Sequence, residues 1–521
     1  MDPPVASMHS DSIPLTDRWL NRFLLCVALL MVGAALYRLQ MVVAWQLATP
    51  FDIIFESPNL ATIQAIRGGA NVYDSTFFNA HPFIFTLYTP LYHMICASLP
   101  DSATNPFFTG RLVALTFMSA AALGALWVST LRNWTTILLW MAPFLLLHPV
   151  VSNLAFLKND GTALFFSILA ILAVSRTGRQ EPIAERSRQS GRTWGVPLAA
   201  FFCVLAFASK QVYLSATAAC FVYLFFNERR QAYRFVLYGL VFGGIGAAAA
   251  QLMWGNGFWW CVFRAPSLPP DATQFRSQWE LMLWQPTFLL LLVCSLVSAG
   301  EYFWQHKIRQ WVANPFLLYL LFAGSVLLLT VGKPGSSTNY FIEPSLAAVF
   351  WLISASPTSR LGNAGKLVTA GLCAVATVCE VSMAKPFEFT YADPAAIERR
   401  AALHHTLLKE AGSLVSKTEL RVLNLASASV FFDWPGESAI NDPYLYTLLW
   451  TKGALKPDSM IRELGGQSYD LVVLRSHTSV QSGDGQDPVS QIMKALCNSY
   501  SLAAKGDYLQ YWTRIEQTEK R

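Results

Sequence analysis

Long apolar runs, each followed by a short polar stretch, recur along the first three quarters of the chain. A helix crosses a membrane with about 20 apolar residues. By that measure about eleven spans are predicted, near residues 20–45, 111–131, 134–151, 161–176, 195–210, 211–227, 235–254, 286–300, 312–331, 339–355 and 366–384. Phe83–Leu99 is also apolar but is broken by Pro90, and it reads as a helix lying along the membrane surface. From about Lys385 the pattern becomes that of a soluble unit. Arg421–Leu425 and Tyr469–Arg475 have the apolar character of buried strands, and Gly506–Arg514 alternates like a third. Helix periodicity falls near Ala395–Ser416 and Asp458–Leu464. The pattern thus divides the chain into a tail (1–18), a membrane domain (19–384) whose first long loop is 46–110, and a small α/β domain (385–521). No internal repeat is visible, and Gly239-x-x-x-Gly243 reads as a helix-packing motif.

Composition sharpens the class. Hydrophobic residues make up 54% and charged residues 13% of the 521 positions, against roughly a quarter charged in soluble proteins. The mean hydropathy is +0.37. The net charge of +6 sits in short loops between spans and implies no nucleic-acid partner. The first apolar run lacks a basic leader and a small-residue cleavage site, so it reads as a retained anchor. About fifteen basic residues fall on one side of the predicted topology, including Arg18, Arg22, Arg132, the Arg176–Arg192 group, Arg229, Arg230 and Arg360; about seven fall on the other. This asymmetry predicts a cytoplasmic N-terminus, with the first long loop and the C-terminal domain outside. Most of the nine cysteines lie within or beside spans, leaving Cys261 and Cys497 as those able to face water, so no disulfide framework is implied.

Ionisable residues are costly in a membrane, and here they gather at the predicted outer ends of spans. Asp52 and Glu56 follow span 1, and i, i+4 spacing on a helix would stack both carboxylates on one face. Lys158 and Asp160 precede span 4, and Lys210 sits between two spans joined by almost no loop. Arg264 and Arg276 lie in the loop after span 7, while Lys333, Asn339, Tyr340 and Glu343 flank span 10. Acids, cations and amides converging on one face suit a charged, polyhydroxylated substrate. Each also has a structural reading: helix capping for Asp52/Glu56 and for Asn339–Glu343, an ion pair for Lys158/Asp160, snorkelling for Lys210. Trp254, Trp259, Trp260, Trp279 and Trp284 read as an interfacial aromatic belt or a sugar platform. His81, His93 and His148 are dispersed, which does not suggest a metal site.

Taken together, several short elements resemble a known family. An acid after the first span, Ile66-Arg-Gly-Gly-Ala-Asn-Val-Tyr73 and Leu87-Tyr-Thr-Pro-Leu-Tyr92 look like the first outer loop of GT-C membrane glycosyltransferases, such as protein O-mannosyltransferases and lipid A aminoarabinose transferases. Arg111, Leu157-Lys-Asn-Asp-Gly161, Ala208-Ser-Lys-Gln211 and Asn339-Tyr-Phe-Ile-Glu343 fall where bacterial members carry similar elements. One departure concerns the acids. Relatives often carry adjacent Asp-Glu about fourteen residues before the loop glycine; counted back from Gly69, the Glu falls on Glu56 but the Asp position is Phe55. The base is then Glu56 or Asp52, with spacing favouring Glu56.

The resemblance implies a bacterial inner-membrane enzyme that moves a sugar, with inversion, from a polyprenyl-phosphate donor to an acceptor hydroxyl on a glycan, lipid or protein. It implies donor-phosphate contacts at Lys210, Lys333, Arg264, Lys158 and Asp160, and substrate contacts at Tyr88, Tyr92, Asn339, Tyr340 and Glu343. No cofactor is required, although some relatives use a divalent metal. A secondary transporter or lipid flippase is the alternative from another class; such proteins commonly show two related halves, which are not visible here.

Overall fold

The computed structural model of this chain describes residues 15–515 apart from 51–55, 103, 129–133, 178–193, 356–361, 393–401, 403–405, 408, 415–419, 427–435, 440–441, 476–486 and 508. Helix α1 (Leu15–Ala48) leads into three short helices of the first long loop, α2 (Ser57–Arg67), α3 (Ser75–Asn79) and α4 (Leu91–Ser98). A bundle follows: α5 (Phe108–Leu123), α6 (Trp134–Leu146), α7 (His148–Asn153), α8 (Asp160–Thr177), α9 (Gly195–Ser209), α10 (Ser215–Asn227) and α11 (Arg229–Trp259). It continues through α12 (Ala272–Leu283), α13 (Pro286–Gln305), α14 (Ile308–Trp311), α15 (Pro315–Thr330), α16 (Ile342–Ala355) and α17 (Gly362–Ala392).

Every one of the apolar stretches predicted to span carries a helix. Among the described residues, five helices are long and apolar enough to cross a membrane: Trp19–Ala48, Phe108–Trp127, Arg229–Arg264, Pro286–Gln305 and Gly365–Ser382. Trp134–Leu146, Gly195–Ser209, Ser215–Asn227 and Pro315–Thr330 are apolar but shorter. The remaining two, α8 and α16, each carry a carboxylate in the first turn, Asp160 and Glu343. The protein is a mostly helical, multi-pass membrane protein. Within the bundle α8 packs on α5 and α9, α10 on α15, and α1 on α6 and α17, around one continuous apolar core.

The first long loop departs from the sequence expectation. Only Leu91–Ser98 is helical within Phe83–Leu99, and Pro90 stands as the N-cap of α4. A proline pushes the residue before it out of helical geometry, so Phe83–Thr89 runs as irregular chain, with Phe83 at φ 57°. The glycine motif in α11 also reads differently: a Cβ added at Gly239 or Gly243 would meet nothing within 4 Å, so no neighbouring helix seats on it among the described residues. Cys261, expected to face water, is fully buried, and all nine cysteines are free thiols. Asp52, Arg132, Arg179, Arg186, Arg188, Arg192, Arg360 and most of the expected helix at Ala395–Ser416 lie outside the described residues.

The C-terminal region forms a five-stranded sheet, β1 (Leu420–Asn424), β2 (Gly436–Ala439), β3 (Leu471–Arg475), β4 (Tyr500–Lys505) and β5 (Leu509–Arg514), in the order β2-β1-β3-β5-β4. β1 pairs in parallel with β2 and β3; β5 runs antiparallel to both β3 and β4. Its helices are α18 (Pro443–Thr451), α19 (Asp458–Gly465) and α20 (Pro488–Ser499). This region docks on the first long loop through a shared aromatic core. Tyr73, Phe78, Phe83 and Phe85 of the loop pack with Leu445, Tyr446 and Leu449 of α18, with Phe258 in the last turn of α11 and with Cys261 just beyond it. Polar bonds fix the register: the Tyr446 hydroxyl donates to the Phe78 carbonyl (2.8 Å), and the His81 amide donates to Glu463 (3.2 Å).

Candidate active site

Two buried polar clusters lie where the first long loop meets the bundle, and the first centres on Glu56. Helix α2 begins at Ser57 with Pro58 in its first turn, a residue whose fixed φ and missing N–H suit that position. This leaves Glu56 at the N-cap, with its carboxylate turned into the protein. Arg111, from the first turn of α5, binds it in two-pronged fashion, its Nε donating to Oε1 at 2.9 Å and its Nη2 to Oε2. Both side chains are wholly buried. The same guanidinium donates to the carbonyls of Gln46 (2.7 Å) and Thr49 at the end of α1.

Glu56 Oε1 also accepts from the Leu157 amide at 2.7 Å, and Asn59 Nδ2 donates to the Leu157 carbonyl at 2.8 Å. Two side chains of α2 thus hold both sides of residue 157, three positions before Asp160. Tyr92, expected at a substrate, instead donates to the Gly110 carbonyl (2.9 Å) from a fully buried position beside this cluster.

The second cluster centres on Asp160, the first residue of α8. Lys210 Nζ reaches its Oδ1 at 2.7 Å, the Tyr213 hydroxyl donates to the same oxygen at 3.1 Å, and Asn339 Nδ2 donates to Oδ2 at 2.9 Å. Asn159 Nδ2 donates to the Ser209 carbonyl (3.0 Å), so consecutive residues tie α8 to the end of α9. The Lys210 ammonium lies over the rings of Tyr88 (5.3 Å) and Tyr340 (5.0 Å), the geometry of a cation–π contact. Burial pushes the Tyr88 phenol up to about 12, against the opposing pull of Lys210. Beside the pair, Glu343 accepts from the hydroxyls of Tyr319 (3.1 Å) and Ser215 (3.2 Å). A small cavity opens here, with Asp160, Lys210, Tyr213, Tyr340 and Glu343 on one side and the aliphatic surface of α15, Val326 and Leu327, on the other.

The expected residues therefore divide. Asp160, Lys210, Tyr88, Asn339, Tyr340 and Glu343 meet in one place. Lys158 is drawn aside, donating to Asn153 Oδ1 at 3.0 Å and lying 5.5 Å over Phe156. Lys333, half-buried in the turn after α15, and Arg264, exposed after α11, have no ion-pair or hydrogen-bond partner for their side chains among the described residues. Arg276 is exposed and paired with Glu280 on its own helix. Trp254, Trp259 and Trp260 belong to the aromatic packing around the first loop, Trp279 packs on Phe341, and Trp284 is exposed. Among the described residues no three His, Cys, Asp or Glu side chains gather as a metal ion would need.

Arg111 as the partner of Glu56, together with Tyr213, Ser215 and Tyr319, escaped the sequence reading as site residues. One signal for Arg111 was present: an arginine at the start of an apolar span demands a buried counter-charge.

No protein-family profile matches the chain, and no curated protein matches it in sequence. Solved structures do resemble it. ArnT from Cupriavidus metallidurans bound to undecaprenyl phosphate superposes with a TM-score of 0.57 at 11% identity, covering 94% of this chain and 98% of that one. ArnT in the apo state gives 0.57 at 11%, covering 96% and 99%. The archaeal oligosaccharyltransferase AglB from Archaeoglobus fulgidus, in complex with an inhibitory peptide and a dolichol-phosphate, gives 0.52 at 10%, covering 89% and 70%. Across nearly its whole length, the chain shares the fold of these membrane proteins.

Proposed function

We propose that this protein is a glycosyltransferase that moves a sugar from a polyprenyl-phosphate carrier to an acceptor hydroxyl, at the membrane face opposite the N-terminus, in a bacterial envelope. The observation that carries this reading is the Asp160–Lys210–Asn339 cluster, built from three distant stretches of chain, on a fold shared with proteins solved with undecaprenyl phosphate and dolichol-phosphate.

In the proposed reaction the acceptor oxygen attacks the anomeric carbon from the face opposite the carrier phosphate. The new C–O bond forms as the bond to phosphate breaks, and the carrier leaves as a phosphate monoester. The negative charge growing on that leaving oxygen calls for nearby cations. Lys333 and Arg264 have side chains uncommitted among the described residues, and Lys210 adds charge from within its pair with Asp160.

A base must take the acceptor proton. Glu56 is poorly suited, since Arg111 occupies both of its oxygens. We therefore assign the base to Asp52 and give Glu56 a positioning role. The test is transfer from a polyprenyl-phosphate sugar by the full chain in nanodiscs. Asp52→Asn should abolish transfer while folding as the parent does. Transfer undiminished in Asp52→Asn removes that assignment, and solute uptake into liposomes without any transfer would favour a transporter instead.

A further inference from the structure

The C-terminal region reaches the candidate site through one helix. Tyr446 of α18 is clamped to the first long loop by its bond to the Phe78 carbonyl and by edge contacts with Phe83 and Phe85. The turn just before it therefore has a fixed position. Tyr444, half exposed, places its Cε1 only 3.9 Å from where a side chain on Gly335 would begin. Gly335 lies in the turn that runs from Lys333 to Asn339, the donor to Asp160. That turn is itself fixed, Asp271 donating its amide to the Gly332 carbonyl (2.7 Å) and Gln274 its Nε2 to the Ser336 carbonyl (2.6 Å). Asp442, which caps α18 by accepting from the Leu445 amide (2.9 Å), stands two residues before Tyr444. An aromatic ring and a carboxylate at the start of α18 thus adjoin the turn that carries Lys333, and that turn is bonded back to the cavity-lining Thr330 through the Lys333 amide (3.0 Å).

We propose that Tyr444 and Asp442 form, with the Lys333–Gly335 turn, an acceptor subsite shared between the C-terminal region and the helical bundle, taking an uncharged, hydroxyl-bearing sugar ring. The chemistry selects that class. An aromatic face stacks on the apolar face of a pyranose, the carboxylate accepts from ring hydroxyls, and the ammonium donates to them. A polyanionic headgroup would find Asp442 opposing Lys333. The proposal rests on the glycosyltransferase reading and names the acceptor that reading leaves open.

The test uses the full chain in nanodiscs with two probes applied separately. Methyl β-glucopyranoside and methyl α-mannopyranoside are followed by saturation-transfer NMR, and polyprenyl monophosphate by direct binding. Saturation transfer to a glycoside is expected from the parent, reduced about fivefold in Tyr444→Ala, the scale of one aromatic stacking contact, and restored in Tyr444→Trp. Asp442→Asn should reduce it as well. Equal signals from parent and Tyr444→Ala, no signal from the parent, or Tyr444-dependent binding of polyprenyl monophosphate in place of a glycoside would each overturn the subsite. If the parent fails to bind polyprenyl monophosphate, the proposed function falls, while a Tyr444-dependent glycoside signal would still stand.

Discussion

At the residue scale, Glu56 and Arg111 show how a buried ion pair does structural work beside the candidate site. Separating such a pair by removing one partner typically costs about 3–5 kcal/mol, because the other charge stays buried without compensation. Glu56→Gln is therefore expected to lower the thermal midpoint and folded yield markedly, whereas Glu56→Met/Arg111→Met should recover much of that loss. A Glu56→Gln protein as stable as the parent would return the base role to Glu56. Asp160→Asn leaves the Lys210 ammonium buried without its counter-charge and so should also cost stability; in the protein that stays folded it should further slow transfer by about 10²–10³, the scale of losing one preorganised electrostatic partner, and a rate per folded molecule within a factor of a few of the parent would exclude the cluster. Gly257 offers a purely steric case: a Cβ there would lie 1.8 Å from the Tyr73 carbonyl oxygen. Alanine at a helical glycine ordinarily stabilises by about 1 kcal/mol, so a drop in melting temperature for Gly257→Ala would confirm the close approach and a rise would refute it.

At the element scale, α2 and α4 hold the first long loop against the bundle. His93 of α4 is fully buried, and its Nε2 donates to Asn59 Oδ1 at 3.0 Å, next to the grip on Leu157. Burial lowers its pKa to about 4 from 6.5. Between those values the unfolded chain binds more protons than the folded one, so stability rises with pH across this window and falls as pH drops from about 6.5 toward 4. A His93→Gln chain, having nothing to titrate there, should lose less stability than the parent between pH 7 and pH 4.5; identical losses would show that His93 is not the cause.

The elements were largely legible in the sequence because hydropathy over a span is a local property. Each apolar stretch predicted to span carries a helix, and β1, β3 and β5 formed where apolar or alternating residues announced them. Partnerships across the chain were less legible. Asp160 pairs with Lys210, fifty positions on, rather than with its sequence neighbour Lys158. Leu157 is held by α2, so Lys158 points back along the chain toward Asn153 while Asp160 starts α8 facing α9. Nothing within a window of twenty residues encodes that choice. The irregular path of Phe83–Thr89 likewise depends on the C-terminal region against which its aromatic rings pack.

At the scale of the whole molecule, the C-terminal sheet, the first long loop and the loop ends of the bundle form one continuous packed assembly, with the charged cluster beneath it. The long apolar helices at the periphery expose their side chains, as a bilayer would require. The central claim is that a carrier phosphate docks where these parts meet. The most direct measurement is a cryo-EM map of the full chain in nanodiscs with polyprenyl monophosphate bound. The account predicts phosphate density at the mouth of the Asp160–Lys210 cavity, within reach of Lys333 or Arg264, and loss of that density in the Lys333→Met/Arg264→Met chain. Phosphate density on another face of the bundle, or density unchanged in the double variant, would contradict it.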